Sequence, residues 1–199
     1  MAIAAQDDSR HVFKDAAEFL AWVEPQTIKY EMIDYVAVPK WGAVEMMTGG
    51  TRRHAKVAAN ALFATMRRTR GGPCEAYGSD YAIAVAPGRV RFPDVSVTCS
   101  DEPDEAMHAP VVVMEVLSPS TAGEDRGEKA QGYRALPSLR HLLLIEPGRL
   151  SIEHQHRAGP DELFRIEQLN AIDGVIRLNG LNIEVPIGEF YRSVDVPNG

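Results

Sequence analysis

PVVVMEVLS, residues 110–118, decides the fold. Three consecutive valines followed by Met114, Val116 and Leu117 leave no face for water. A strand with one wet side alternates polar and apolar residues, whereas a strand covered on both faces does not. The stretch therefore predicts a central strand with layers packed on both sides. Glu115 interrupts it. An unpaired carboxylate in such a place is costly, so Glu115 must be paired, protonated or bound to a cation. Its position near the strand's C-terminal end is where α/β sheets commonly form sites. A salt bridge to Lys129 or an arginine, or a strand end that reaches water, satisfies it equally well.

Downstream, TAGEDRGEKAQGYRALPS (121–138) predicts a helix ending before Pro137, and HLLLIEP (141–147) a second buried strand. Residues 149–192 alternate strands and turns and close with LNGLNIEVPIGEFY. Upstream, YGSDYAIAVAPGRVRFPDVSVTC (77–99) has a period of two and predicts two strands joined at Pro87-Gly88. Before it, TGGTRRHAKVAANALFATMRRTRGG (48–72) is the clearest helix. Thr51 can cap its start and Gly71 can stop its end. Val57, Ala58, Ala61, Leu62 and Met66 form its apolar stripe. Residues 11–24 predict a short helix capped by Asp15, with Phe19, Leu20 and Val23 inward. Residues 28–47 are strand material: IKYEMID, the Pro-containing VAVPKW, then GAVEMM. The order helix, strand, strand, strand, helix, strand gives an α/β (α+β) mixed sheet flanked by helices, with a strand hairpin before it and a strand-rich tail after it.

The chain has 199 residues, which suits one domain, expected over residues 11–192 with flexible ends at 1–10 and 193–199. No run approaches about 18 consecutive apolar residues, so no membrane span is expected. MAIAAQDDSR at the start lacks the basic and apolar regions of a secretory signal, which points to the cytoplasm. Two cysteines, Cys74 and Cys99, make no disulfide framework and are expected to be small, semi-buried residues. A formal net charge of −7 argues against non-specific coating of nucleic acid. The charge is uneven, however. Thr51–Cys74 holds no acidic residue but contains Arg52, Arg53, Lys56, Arg67, Arg68 and Arg70. A solvated helix face accounts for such a run as well as a binding surface does. SDEPDEA, residues 100–106, is acidic and reads as a solvated loop.

Asp94, in FPDVSV, shifts the balance at Glu115. It lies in the strand expected just before the Glu115 strand, next to Pro93, which cannot donate to a sheet ladder. Two carboxylates on neighbouring strands make a hard-oxygen site suited to Mg²⁺ or Mn²⁺.

PDVSV, VVMEVLSPST and EDRGEKAQGY together resemble the Uma-type restriction endonucleases of the PD-(D/E)XK nuclease superfamily. So do KYEMID, TGGTRRHAKVAANAL, RGGPCEAYGSD and GLNIEVPIGEFY, so the resemblance spans about residues 13–192. EVLSPST followed by D-x-G-x-K is its most specific part. The order of elements read above is the core order of that superfamily. The resemblance implies that Asp94 and Glu115 are metal ligands, with the Val116 carbonyl as a third. It places the superfamily lysine at Leu117, on the same strand face as Glu115, where this chain has no lysine. Lys129 on the following helix takes that role instead, reaching the metal-bound water or the phosphate; pairing with Asp125 on the helix surface is the alternative. Glu31 matches a characteristic family glutamate and is a further ligand candidate, or an exposed strand residue. His54 is a candidate for the cleft, and Asp80 for an outer partner or a turn. The segment Tyr35–Trp41 departs from the family pattern and loosens the register of Glu31. The implied activity is metal-dependent cleavage of nucleic acid, DNA first, with Arg52, Arg53 and Lys56 on the phosphate backbone and a homodimer as the acting unit. The rival reading is a nuclease-fold protein that binds nucleic acid or a protein without cutting. No dedicated sequence-reading module accompanies the core.

Overall fold

The computed structural model describes residues 11–39, 51–118, 123 and 125–196. The segments GAVEMM (42–47) and 119–122, Trp41 in the departing segment, and the ends 1–10 and 197–199 lie outside the described residues. Val194 and Val196 pack on the core, so the structured part runs beyond the expected boundary at 192.

The elements follow in order α1 (Ala16–Val23), β1 (Tyr30–Ile33), β2 (Val36–Pro39), α2 (Arg52–Thr69), β3 (Glu75–Gly78), β4 (Ala82–Ala86), β5 (Arg89–Arg91), β6 (Val95–Thr98), β7 (Ala106–Met107) and β8 (Pro110–Val116). A π-helical turn (Asp125–Lys129), α3 (Ala130–Ala135), β9 (His141–Glu146), β10 (Ser151–His156), β11 (Arg165–Leu169), β12 (Val175–Leu178), β13 (Ile183–Pro186) and α4 (Ile187–Phe190) complete the chain. Asp15 and Thr51 cap α1 and α2, accepting from the N–H groups of Glu18 and His54. Gly88 turns between β4 and β5 at a φ of 74°, a conformation that favours glycine.

The larger sheet has the order β11-β10-β9-β8-β6-β3. β8 lies inside this sheet, parallel to β9 and antiparallel to β6. On one face Val112, Met114 and Val116 pack against Val57 and Ala61 of α2 and against the β12–β13 hairpin. On the other, Val113 and Leu117 pack against Ala130 and Tyr133. The stretch 77–99, expected as two strands, holds parts of four. β3 and β6 join the larger sheet, while β4 and β5 leave it for a second sheet, β2-β1-β5-β4-β7. Alternation reveals which face a residue takes but not which strand it pairs with. The N-terminal hairpin β1–β2 docks on β5, and α1 covers it through Phe13, Phe19, Met32 and Val90.

Two expectations need correction. Val57 and Ala61 of the expected α2 stripe are buried and Ala58 and Leu62 pack against the same core, but Met66 stands 46% exposed, and Ala64, Thr65 and Thr69 are buried as well. Small residues turn inward because the helix lies close against the sheet. Cys74 and Cys99 are joined in a disulfide. They follow the β3–β6 register one pair beyond Glu75↔Thr98, which brings them directly opposite each other.

Under the β12–β13 hairpin lies a row of imidazoles. His141 and His154 are buried, with Nδ1 and Nε2 2.9 Å apart, and His141 Nε2 is 3.0 Å from the Asn179 carbonyl. That carbonyl only accepts, so His141 donates to it and receives from His154, with both rings neutral. His156 pairs with Glu167 at 3.2 Å. Burial pushes His141 down, and burial with the neighbouring histidines pushes His154 down to about 3. The unfolded chain takes up these protons near pH 6.5, while the folded chain refuses them. Stability is therefore full above about pH 6.5 and falls progressively towards pH 3. At pH 4.5 His154 alone is expected to cost about 2–3 kcal/mol. Chemical denaturation at pH 7.5 and 4.5 measures this, and His154→Gln, which can still donate to His141, should flatten the slope.

Candidate active site

The register Val95↔Met114, carried one residue further, sets Asp94 opposite Glu115 at the open end of the larger sheet. Asp94 Oδ2 accepts from the Val116 N–H at 2.8 Å, which closes the end of β8 onto the start of β6. His54, in the first turn of α2, brings Nε2 to 3.5 Å from the same oxygen. The Thr51 cap fixes that turn, with its hydroxyl accepting from the His54 N–H at 3.2 Å.

Glu115 lies on the face of β8 that α3 covers and is 3% exposed. The hydroxyl of Tyr133 donates to its Oε1 at 2.8 Å. Tyr133 is wholly buried, and desolvation, with the charges of Glu115 and Glu31, holds its hydroxyl well above the ordinary tyrosine range. It therefore acts as a neutral donor. Glu31 reaches this region from the smaller sheet. Its Oε2 meets Arg91 Nη1 at 2.5 Å, and its Oε1 accepts from the Phe92 N–H at 3.4 Å and lies 3.8 Å from Lys129 Nζ. Glu128 extends the group outward, 3.3 Å from Arg91 and 3.0 Å from Arg89. Arg91 and Lys129 are 2% and 4% exposed, so burial makes each cation depend on its carboxylate neighbours. The network joins both sheets and the helical segment after β8.

The structure thus brings Asp94, Glu115, Lys129, Glu31, His54 and Val116 into one region. Lys129 is buried and paired with Glu31, rather than lying on a helix surface. It stands at the end of the π-helical turn, a feature often found at functional sites. Leu117 is buried in the apolar cluster beneath Glu115, so the expected face is right and the site has no lysine there. Arg52, Arg53 and Lys56 are exposed and line an open cleft of about 1140 Å³ together with Leu117, Ser118 and Glu146. Arg67 and Arg68 play another part: both pair with Glu189 of α4, which tethers the helix to the C-terminal tail. Asp80 is exposed and bonded to Lys29. Sequence reasoning missed Arg91 and Tyr133. Tyr133 had a signal, since it lies one helical turn after Lys129 and so shares its face.

The donor set fits a hard divalent cation. Asp94 and Glu115 are hard oxygen donors, while Glu31 is engaged by Arg91 and Lys129. Among the described residues no three His, Cys, Asp or Glu side chains gather into a ready cage. Mg²⁺ suits such a place, because it binds through one or two carboxylates and keeps several waters.

Comparisons with known proteins bear on the same region. The family model described as "Uma2: Putative restriction endonuclease" matches residues 16–186. The chain is 30% identical over 181 residues to "Uncharacterized protein slr1290" of Synechocystis sp., covering 89% of this chain and 90% of that one. A second Synechocystis protein, "Uncharacterized protein sll1609", is 29% identical over 174 residues, covering 84% and 94%. A crystal structure from Anabaena variabilis, described as a "putative nuclease belonging to DUF820", superposes with a TM-score of 0.66 at 13% identity. It covers 89% of this chain and 97% of its own, and shows the shared nuclease-like fold. No helix among the described residues is long and apolar enough to cross a membrane.

Proposed function

The chain belongs to the Uma2 family, and from that premise we propose that it is an endonuclease hydrolysing phosphodiester bonds of nucleic acid, DNA first, with Mg²⁺ or Mn²⁺. The observation that carries this reading is the joining of Asp94 to the Val116 N–H, opposite a buried Glu115, beside a cleft lined by Arg52, Arg53 and Lys56.

Asp94, Glu115 and the Val116 carbonyl would hold the cation, which supplies polarisation of the phosphoryl oxygen and a more acidic water. The chain's own groups do the rest. The Tyr133 hydroxyl fixes the orientation of Glu115. His54 braces Asp94 from α2. Glu31, occupied by Arg91, acts as the counter-charge that presents Lys129 rather than as a ligand. The Lys129 ammonium stabilises the negative charge that builds on the phosphoryl group. Arg52, Arg53 and Lys56 hold the phosphate backbone, giving affinity that falls with salt and carries no sequence information. The acting unit in this reading is a homodimer in the cytoplasm.

A second reading, a nuclease fold that binds without cutting, is favoured by Leu117 at the position where the superfamily has its lysine. Supercoiled plasmid incubated with Mg²⁺ or Mn²⁺ separates the two. Wild type should nick or linearise it, and Asp94→Ala should lower the rate by about 10²-fold or more, a loss on the scale of removing preorganised electrostatic stabilisation. Cleavage that survives Asp94→Ala refutes the assignment.

A further inference from the structure

β11 ends the larger sheet, and among the described residues no strand pairs with its outer edge. Such an edge presents unpaired N–H and C=O groups and is a template for another chain unless it is blocked. It carries no proline, and its first four residues are all exposed. Two large apolar side chains stand in solvent beside it, Leu163 at 91% and Ile166 at 60% exposure.

The sequence of this edge is complementary to itself in one antiparallel register. Centred on Ile166, a two-fold axis places Ile166 against Ile166 and Arg165 against Glu167 on both sides. It also places the exposed Leu163 opposite Leu169. Centred on Glu167, the same strand would oppose two carboxylates, which disfavours that alternative. A two-fold axis perpendicular to the sheet keeps each face continuous. Ile166 lies opposite Gln155, which Arg134 of α3 holds, so the paired isoleucines fall on the α3 face. Arg165 and Glu167 fall on the opposite face, beside His156.

We infer that β11 is the dimer interface of this protein, pairing antiparallel with β11 of a second copy about Ile166 to form one continuous twelve-stranded sheet, twice the six strands of each copy. Its contacts are isologous, as closed two-fold association requires. It does not depend on the nuclease reading, and its test reads mass rather than cleavage.

The test is sedimentation equilibrium of wild type, Arg165→Glu, Glu167→Arg and the double reversal across micromolar concentrations. Wild type should be a dimer. Each single reversal places like charges opposite each other and should raise the dimer dissociation constant at least tenfold, and the double reversal should restore it. A monomeric wild type, single reversals that leave the dimer intact, or a double reversal that fails to rescue would each overturn the inference. Circular dichroism checks that each variant folds. Should a reversal unfold the chain, hydrogen exchange on wild type decides the matter. The alternate β11 amides that face away from β10 should be protected in the dimer and lose that protection on dilution; protection of those outward amides that ignores concentration contradicts the pairing.

Discussion

Arg91→Met is expected to lower the melting temperature by about 6–20 °C. Breaking a buried ion pair by removing one partner costs roughly 3–5 kcal/mol, and each kcal/mol moves the melting point of a chain this size by about 2–4 °C. The loss is large because Glu31 stays where it is. It is 3% exposed, it sits between the two sheets, and without Arg91 it keeps Lys129, at 3.8 Å, as a charged neighbour among the described residues. Methionine fills much of the same volume, so a cavity contributes little. Removing both partners, Arg91→Met with Glu31→Leu, should recover only part of the stability, since it clears the Glu31 carboxylate but takes that partner from the buried Lys129. Calorimetric melting of the two variants beside wild type measures both effects. A shift within about 2 °C for Arg91→Met would show that the pair is not the keystone of the interface between the sheets.

Lys129→Met is expected to lower cleavage at saturating DNA by about 10²–10³-fold, the usual scale for losing one preorganised electrostatic group at a developing charge. Glu31 keeps Arg91 in this variant, so the network loses one cation without abandoning a carboxylate altogether, and the fold should persist. DNA affinity should barely move, because the backbone contacts proposed above belong to Arg52, Arg53 and Lys56. Arg52→Ala with Arg53→Ala should behave in the opposite way: weaker binding, a shallower salt dependence and turnover largely kept. A Lys129→Met protein that loses stability but retains turnover would make Lys129 a structural cation. Steady-state cleavage together with melting curves distinguishes the two.

Much of the fold was legible because local chemistry fixed it. A Val-rich run such as PVVVMEVLS suits a covered strand, Asp15 and Thr51 cap helices with their own side chains, and Pro87-Gly88 marks its own turn. Partnerships across the chain were not legible. Glu31 and Arg91 are 60 residues apart, and Cys74 and Cys99 are 25 apart. Such pairs meet only once the strand order is known, and alternation does not supply that order. Glu115 illustrates both sides. Its need for a partner followed from the strand alone, yet its observed donor, the Tyr133 hydroxyl, comes from a helical segment whose π-helical start no periodicity announces. The α2 stripe was misread only at Met66, for a related reason: the face that packs closest to a sheet favours small side chains, and a hydrophobicity pattern overlooks Ala64 and Thr65.

The most direct test of the acidic site is titration of Mn²⁺ or Mg²⁺ into wild type and Glu115→Gln by calorimetry, with plasmid cleavage run in parallel. Glutamine keeps the shape of Glu115 and can still accept from Tyr133, so the fold should hold while the charge goes. The expected result is metal binding and cleavage in wild type, with both lost in Glu115→Gln. Wild-type protein that binds no divalent metal and cuts nothing, or cleavage that persists in Glu115→Gln, would contradict the account and leave Glu115 as one more member of a buried structural network.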